Sequence, residues 1–295
     1  MASNLKEPSF HVWQEVIRSA LHEDRSEYDV TTQSTVLKEQ IGTGVLRFKQ
    51  NGTLAGVKAA ETAFKYMDPT ARMSKVLPDG TQVENGRTIA VVDGTLQAIL
   101  SAERVALNLL QRLSGVATLT AEMVSLLHEY PNVKIVDTRK TTPGLRSLER
   151  YAVRCGGGSN HRDNLQDGVL IKDNHIAAAQ KRGVGISELI SDVRQQIPHT
   201  LQIEIEADTP KLAEEAVLGG ADIVMLDNMT PDTMKEIVRN ARKLQQAQHV
   251  IFEASGGITD ATIEAVASAG VDLISVGALT HSAAAIDIGL DISIN

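Results

Sequence analysis

Basic side chains are concentrated in residues 139–162 of a chain that is acidic as a whole. This segment carries a local charge of +5, whereas the 295 residues together carry a formal charge of −8. Guanidinium groups form paired hydrogen bonds with carboxylate and phosphate oxygens, and glycines such as those at 156–158 let backbone amides approach a ligand closely. The segment therefore predicts a pocket for a small molecule with several negative charges. Its basic residues are Arg139, Lys140, Arg146, Arg150, Arg154 and Arg162, with His161 as a further candidate cation.

Part of this charge has a second interpretation, as the solvated face of a helix. Three arginines follow one another at intervals of four residues, which is the spacing that aligns side chains on one helix face. This interpretation applies to Arg150 and also to Arg154. It does not account for the cations that stand beside predicted strand ends and glycines, which are Arg139, Lys140, Arg162 and Lys172.

Two carboxylates, Glu206 and Asp227, end predicted strands and form the acidic counterpart of this cluster. Carboxylates beside a polyphosphate site hold Mg²⁺ directly or through water. They could also hydrogen-bond sugar hydroxyls or stabilise positive charge that develops on a sugar. An acid/base pair for glycoside hydrolysis would use the same residue types, but neutral sugars do not require the surrounding cations.

Two glycine-containing turns suggest a separate site for a phosphate group. Each turn follows an apolar run and precedes a predicted helix, an arrangement in which backbone amides bind phosphate. Barrels often place a phosphate on their last two strands. The turns are Ser255-Gly256-Gly257 and Val276-Gly277-Ala278.

Strands of a parallel sheet must position these residues. Short apolar runs at 133–137, 168–173, 201–207, 221–227, 250–255 and 271–277 recur between helical stretches, and strand–helix alternation of this kind implies a parallel α/β sheet. In α/β barrels the chemistry collects at the carboxyl ends of the strands. The polar residues at those ends are Asp137, Arg139, Lys140, Lys172, Asp173, Glu204, Glu206, Asp227, Asn228, Glu253, Ser255, Ser275 and Gly277.

The first hundred residues have a different pattern, typical of a mixed α+β unit with antiparallel pairs. Short β-like runs lie within 41–57 and 81–100, the last of them being LQAIL at 96–100. Residues 101–130 are strongly helical, with a possible break into two helices near Ser114-Gly115.

Composition excludes several classes of protein. Aromatic residues make up only 3% of the chain, and together with the negative charge this argues against a nucleic-acid partner. The single cysteine, Cys155, excludes an intrachain disulfide and a multi-cysteine zinc site. The weakly polar stretch 273–286 is too short to span a bilayer, and the first residues lack a signal-peptide pattern. We expect a cytoplasmic protein without a membrane partner.

The motifs in this order resemble the quinolinate phosphoribosyltransferase family, also called nicotinate-nucleotide pyrophosphorylase (carboxylating). The resemblance covers nearly the whole chain. Its motifs are AERVALNLLQRLSGVAT (102–118), DTRKTTPGLR (137–146), YAVRCGGGSNHR (151–162), LIKDNHI (170–176), IEIEA (203–207), MLDN (225–228), EASGGIT (253–259) and ISVGALTHS (274–282).

The resemblance implies a mixed α+β amino-terminal domain packed on an incomplete α/β barrel, open and seven-stranded, of the type II phosphoribosyltransferase kind. We place these domains at 1–115 and 116–295, with the last residues packing back on the first domain. It also implies a homodimer, or a hexamer built as a trimer of dimers, in which Arg104 reaches the active site of the neighbouring subunit.

Site residues follow from the same resemblance. The quinolinate carboxylates would be bound by Arg104, Arg139, His161, Arg162 and Lys172. Lys140, Glu206 and Asp227 would be catalytic and face phosphoribosyl pyrophosphate and its Mg²⁺, with the two carboxylates as metal ligands, directly or through water. Thr138 would contribute beside Arg139. The ribose phosphate would be held by Ser255, Gly256, Gly257, Val276, Gly277 and Ala278, with His281 as a further candidate.

The implied reaction is phosphoribosyl transfer to quinolinate with decarboxylation, giving nicotinate mononucleotide, pyrophosphate and carbon dioxide in NAD biosynthesis. One alternative is a relative with the same fold and another substrate, such as the molybdenum-transport-associated relative. The cations Arg104, Arg139, Arg162 and Lys172 favour a dicarboxylate, and a nicotinate-specific transferase would need fewer of them. Another is a metabolite-binding regulator, which would be expected to lack Lys140 or the Glu206 and Asp227 pair. We interpret Cys155 as a packed residue and His161 as an anion-binding group rather than a proton carrier.

Overall fold

The computed structural model describes residues 5–294. The helices are α1 (Phe10–Glu23), α2 (Val30–Thr35), α3 (Val57–Met67), α4 (Leu96–Ser125), α5 (Arg146–Cys155), α6 (Asp173–Gln180), α7 (Ile186–Gln196), α8 (Pro210–Leu218), α9 (Pro231–Ala241), α10 (Ile263–Ser268) and α11 (Ala278–His281). The strands are β1 (Ile41–Phe48), β2 (Gly52–Thr53), β3 (Arg72–Ser74), β4 (Gln82–Val83), β5 (Thr88–Thr95), β6 (Lys134–Val136), β7 (Val169–Ile171), β8 (Ile203–Ala207), β9 (Ile223–Asp227), β10 (Ile251–Ser255), β11 (Leu273–Ser275) and β12 (Ile288–Ile294).

The chain forms two compact units, and the first combines three stretches of sequence. It contains the described residues up to Glu122, together with Lys140–Gly158 and those from Ala278 onward. Its main sheet has the order β12-β1-β5-β3 and is antiparallel throughout. Residues of β1 alternate between buried and partly exposed, which is the period of two that a strand with one face on a core requires.

A single helix, α4, runs through the segment in which a break was predicted. It extends over 30 residues without interruption, and it begins with residues 96–100, so the prediction of a strand there was wrong. A short apolar run does not distinguish a strand from a buried helix turn. The predicted break at Ser114-Gly115 was also wrong, because Gly115 lets the main chain at Ala284 pack closely against the helix. A Cβ atom at that position would lie 2.0 Å from the carbonyl oxygen of Ala284.

Replacing Gly115 with alanine is therefore expected to destabilise the protein strongly. The neighbouring atoms belong to the main chain and cannot rotate away, so the overpacking should cost about 3 kcal/mol. Urea unfolding followed by circular dichroism measures the loss. Gly185→Ala is the control, because its Cβ would meet no atom within 4 Å. Equal stability of the two variants would show that the contact at Gly115 is unimportant.

The second unit is a parallel α/β sheet formed from Met123–Arg139 and Ser159–Gly277. Its strand order is β6-β11-β10-β9-β8-β7, with every pairing parallel. Each apolar run predicted in this region contains one of these strands, which confirms the predicted fold class of an amino-terminal α+β part and an incomplete α/β barrel.

The number of strands differs from the predicted seven. Within residues 5–294 the parallel sheet has six strands, and the place of a seventh is taken by an isolated parallel bridge between Ser159 and Val136. Ser159 donates to the carbonyl of Ile135 at 2.8 Å and accepts from the amide of Asp137 at 3.2 Å.

The predicted domain boundary between residues 115 and 116 lies inside α4 and stays a prediction. The outermost residues of the predicted domains, 1–4 and 295, lie outside the described residues. The carboxyl-terminal strand β12 pairs with β1, with Val45 opposite Asp291. Within residues 5–294, no helix combines the length and the apolar composition that crossing a membrane requires.

Candidate active site

The register of the parallel sheet brings the predicted acidic residues to neighbouring strand ends. Asp227 pairs with Ser255 on β10, and Glu206 pairs with Met225 on β9. Paired residues point to the same face of a sheet, as do residues two apart along one strand. Glu206, Asp227 and Ser255 therefore share one face at the carboxyl ends of three adjacent strands.

The turns that follow β9 and β10 interlock through Asn228 and Gly256. Asn228 adopts a left-handed backbone with φ of 55°, and its amide donates to the carbonyl oxygen of Ser255 at 3.0 Å. Its Nδ2 donates to Oδ2 of Asp227 at 2.6 Å. A Cβ on Gly256 would lie 2.3 Å from Oδ1 of Asn228, so glycine is required there. The sequence placed Asn228 at a strand end without assigning it this role.

A short ion pair connects the predicted quinolinate side with the predicted sugar side. Nζ of Lys172 donates to Oε2 of Glu206. Lys172 precedes α6 and remains partly exposed, while the side chain of Glu206 is 18% exposed. The carboxylate that would face the sugar thus also orients one of the predicted carboxylate-binding cations.

Two further cations of the second unit, Arg139 and Arg162, influence each other electrostatically. Nη1 of Arg162 donates to the carbonyl oxygen of Gly168 at 2.9 Å. Burial and, next in size, the positive charge of Arg139 lower the pKa of Arg162. Two guanidinium groups that disfavour each other's charge are stabilised by an anion bound beside both. This lowering of the pKa is in the direction expected for two cations that share an anion site.

Asp137 holds the segment that leads to Arg162. This carboxylate is fully buried. Its Oδ1 accepts from the amide of His161 at 2.8 Å, and its Oδ2 accepts from Nδ2 of Asn160 at 2.6 Å. The end of β6 and the segment 160–162 are thereby fixed relative to each other.

The His161 imidazole faces two carboxylates inside the second unit. Its Nε2 lies 3.2 Å from Oε2 of Glu204 and 3.4 Å from Oε2 of Glu253. Burial opposes the charged form, but the carboxylates outweigh it and raise the pKa of His161. The main-chain nitrogen of Arg162 lies 2.8 Å from Nδ1, so both ring nitrogens have polar neighbours within the protein. The role of His161 in binding quinolinate stays a prediction.

These three side chains are also close enough to share a metal ion, because one ligand atom from each lies within 4.8 Å of the others. As they stand, the imidazole and the carboxylates form an ion-pair cluster. Glu204 is on β8 and Glu253 on β10, both before the ends of their strands. The cluster is therefore distinct from the predicted metal ligands Glu206 and Asp227.

The remaining predicted residues of the second unit lie at its strand ends. Thr138 is half-buried and follows β6. The side chain of Val276 is buried and its amide donates to the carbonyl oxygen of Val136 at 3.0 Å, so only its main chain could face a ligand. Gly257 has φ of 60° and is exposed, while Gly277 is half-buried.

Four predicted residues belong to the first unit and are described within it. Arg104 is exposed on α4 and lines a cavity of about 620 Å³ with residues of α1 and of the turn at 142–145. The carbonyl oxygen of Lys140 accepts from Oγ1 of Thr280 at 2.8 Å. Ala278 begins α11, and the exposed His281 pairs with the hydroxyl of Ser282 at 2.7 Å.

The helix around 146–155 does not present the solvated arginine face that was one interpretation of the sequence. Arg150 is 8% exposed, so that expectation was wrong for this residue. Nη2 of Arg154 donates to the carbonyl oxygen of Lys6 at 2.8 Å, and its guanidinium lies 5.7 Å from the ring centre of Tyr151. Packing within the first unit engages the side chain of Arg154.

Known protein families match this chain over most of its length. The family model "Quinolinate phosphoribosyl transferase, C-terminal domain" matches residues 116–291, and the corresponding N-terminal domain matches residues 29–114. The chain belongs to the quinolinate phosphoribosyltransferase family. The resemblance predicted from the motifs is thereby confirmed, and with it the prediction of an enzyme.

Individual members of the quinolinate phosphoribosyltransferase family are similar along the whole chain. A probable nicotinate-nucleotide pyrophosphorylase [carboxylating] of Bacillus subtilis (strain 168) is 44% identical over 273 residues, which are 92% of this chain and 91% of the relative. A quinolinate phosphoribosyltransferase [decarboxylating] 1b of Nicotiana tabacum is 39% identical, covering 94% and 81%. The solved nicotinate-nucleotide pyrophosphorylase from Francisella tularensis superposes with a TM-score of 0.90 at 34% identity, covering 99% and 100%.

Cys155 is expected to be unreactive in the folded family member. It is buried at the end of α5, and burial, reinforced by the charge of Asp79, raises the pKa of its thiol to about 12. Since the thiolate is the reactive form, iodoacetamide at pH 8 should alkylate the native protein far more slowly than the protein unfolded in urea. Mass spectrometry of the intact chain measures both rates. Equal rates would show that the thiol is accessible.

Proposed function

We propose that the chain transfers the phosphoribosyl group of phosphoribosyl pyrophosphate to quinolinate and decarboxylates the product. The products are nicotinate mononucleotide, pyrophosphate and carbon dioxide, and the reaction belongs to NAD biosynthesis. Family membership over nearly the whole chain supports this activity. The single structural observation that carries it is the position of Glu206, Asp227 and Ser255 on one face at the carboxyl ends of three adjacent strands, because preorganised carboxylates at this edge suit a sugar on which positive charge develops.

The cations define the quinolinate side of the site. Arg139 and Arg162 bind the adjacent carboxylates through charge-assisted hydrogen bonds, and Lys172 contributes its ammonium group while Glu206 orients it. Fixing both carboxylates orients the pyridine ring, so that its nitrogen is aimed at the anomeric carbon of the sugar. Such orientation supplies part of the rate.

The carboxylates Glu206 and Asp227 define the sugar side. Bond breaking between the anomeric carbon and pyrophosphate leaves positive charge on the ribose ring, and preorganised negative charges stabilise it. Lys140 neutralises the leaving pyrophosphate. The backbone amides of Ser255-Gly256-Gly257 and Val276-Gly277-Ala278 hold the ribose phosphate, with His281 as an additional group.

The donor set at the sugar side fits Mg²⁺. This ion prefers oxygen ligands and is usually held by one or two carboxylates and by the phosphates of the substrate. Glu206 and Asp227 provide such oxygens on neighbouring strands, and each remains partly exposed. When bound there, the ion neutralises charge on the pyrophosphate.

Decarboxylation follows from the chemistry of the quaternised ring. Once the nitrogen is bonded to the sugar, the ring can accept the electron pair of the bond between C2 and its carboxylate. Carbon dioxide leaves, and C2 takes up a proton. The side chains of the site form no covalent bond in this sequence, which is consistent with the burial of Cys155.

The functional assembly is a homodimer or a trimer of dimers in the cytoplasm, in which Arg104 contributes to the site of the neighbouring subunit. The exposure of the Arg104 side chain on α4 supports a role in the active site of a neighbouring subunit. This assembly binds small anionic substrates, and we expect neither a nucleic-acid nor a membrane partner.

An assay with quinolinate labelled at the 2-carboxylate tests the proposal. With phosphoribosyl pyrophosphate and Mg²⁺, we expect equal amounts of labelled carbon dioxide, pyrophosphate and nicotinate mononucleotide, and no turnover after chelation of the metal. Turnover with nicotinate but not with quinolinate would indicate a different transferase. Binding of quinolinate without carbon dioxide release would indicate a regulator.

A further inference from the structure

Glu149 is a buried carboxylate at the centre of a hydrogen-bond network in the first unit. The residue lies in the first turn of α5 and is 0% exposed. Its Oε1 accepts from Nε and Nη2 of Arg112 at 3.0 and 2.8 Å. Thr142 donates to the same carboxylate, from Oγ1 to Oε1 at 2.7 Å and from its amide to Oε2 at 2.9 Å. Both carboxylate oxygens are thus occupied by donors from other segments.

Arg112 extends this network to the segment that follows α11. From its position on α4, Arg112 donates through Nη1 to the carbonyl oxygen of Ala283 at 2.8 Å. Its Nη2 makes a short hydrogen bond to the carbonyl oxygen of Thr280. One guanidinium therefore binds Glu149 and the main chain of residues 280–283 at the same time.

Thr280 connects the network to the main chain at Lys140. Its hydroxyl donates to the carbonyl oxygen of Lys140 at 2.8 Å, two residues before Thr142. Lys140 thus contacts Thr280, and Thr280 contacts Arg112. Arg112 binds Glu149, which in turn binds Thr142. Residues 140–142 lie outside the helices and strands, and these side-chain contacts help to hold them.

We propose that Glu149 is a positioning residue for phosphoribosyl pyrophosphate. The inference rests on the proposed function, which assigns Lys140 to the leaving pyrophosphate and Ala278 to the ribose phosphate. Both residues begin segments that the network connects. Glu149 fixes the main chain beside Lys140 and, through Arg112, the segment that follows Ala278. It sets the spacing of two phosphate-binding groups without touching the substrate.

Glu149→Gln tests this role because it keeps the size of the side chain and removes its charge. The NH2 group of glutamine cannot accept the hydrogen bonds that Arg112 or Thr142 donates to one carboxylate oxygen of Glu149. The network should therefore lose at least one of these hydrogen bonds. Losing a hydrogen bond to a charged group should raise KM for phosphoribosyl pyrophosphate by roughly tenfold or more. The KM for quinolinate should change by less than about twofold, because its predicted cations in the second unit are outside the network.

A milder variant covers the case in which Glu149→Gln does not fold. Thr280→Val removes only the hydroxyl that donates to Lys140, and it should raise KM for phosphoribosyl pyrophosphate in the same selective way by about threefold or more. Asp68→Asn is the matched control. Asp68 is also buried and accepts from a threonine hydroxyl and from backbone amides, but it belongs to a turn that carries no predicted site residue.

The outcomes separate this inference from the proposed function. A selective rise of KM for phosphoribosyl pyrophosphate in the Glu149 or Thr280 variant, with Asp68→Asn unchanged, supports the positioning role. Unchanged KM values, or equal rises for both substrates, in a folded variant of an active enzyme would overturn it. Absence of carbon dioxide release by the unaltered protein would instead contradict the proposed function.

Discussion

Replacing Asp227 with asparagine is expected to lower kcat by about 10²–10³-fold, the effect typical of removing one preorganised electrostatic group. Asp227 ends β9 beside Ser255, and its negative charge faces the sugar on which positive charge develops. Asparagine retains an oxygen that can accept from Nδ2 of Asn228, so the local hydrogen bond survives and only the charge is lost. Steady-state kinetics and an independent measurement of quinolinate affinity distinguish the two effects.

The control for this variant lies at the other end of the same strand. Asp222 precedes β9 and accepts from Nη1 of Arg194 and from the amide of Ile203, both at 2.7 Å. Asp222→Asn removes a carboxylate of similar exposure and should lower stability while leaving kcat within about twofold, because distant sites act independently. If Asp227→Asn weakened quinolinate binding and left kcat intact, its assignment to the sugar side would be wrong.

Replacing Arg162 with alanine is expected to weaken quinolinate binding by about 2 kcal/mol or more, as for loss of a charge-assisted contact. This corresponds to an increase of roughly thirtyfold in Kd. The variant removes the guanidinium group whose pKa is lowered by burial and by the positive charge of Arg139. Isothermal titration calorimetry with quinolinate measures it directly.

Arg194→Ala controls for the removal of a partly exposed arginine from the same unit. Arg194 donates to the carbonyl oxygen of Gly220 at 3.0 Å, much as Arg162 donates to Gly168. It lies on α7 and should not alter the Kd for quinolinate. Unchanged affinity in Arg162→Ala would remove Arg162 from the pocket.

The strands of the barrel could be predicted because they depend on local sequence. Each run of apolar residues in the second half of the chain is bounded by turn or helix signals, and burial on both faces of a parallel sheet requires such runs. The prediction of a strand at 96–100 was wrong although it rested on the same kind of apolar run. An apolar run is compatible with a strand and with a buried helix turn, and only its packing as the start of α4 distinguishes them.

The partners of individual side chains could not be predicted, because they come from distant positions. His161 meets Glu204 across 43 residues of sequence, and Glu149 meets Arg112 across 37. In the sequence, Glu149 was only the single acid of a basic segment, and Glu204 and Glu253 were only polar residues at strand ends. The fold assigns them partners, and it does so through contacts that no local pattern encodes.

A crystal structure with phthalate tests the dicarboxylate site most directly. Phthalate carries the two adjacent carboxylates of quinolinate on a benzene ring and has no nitrogen that could react. We expect its carboxylate oxygens within about 3.2 Å of the guanidinium groups of Arg139 and Arg162, with the ammonium group of Lys172 beside them. Phthalate bound elsewhere, with these cations directed into solvent, would contradict the proposed pocket.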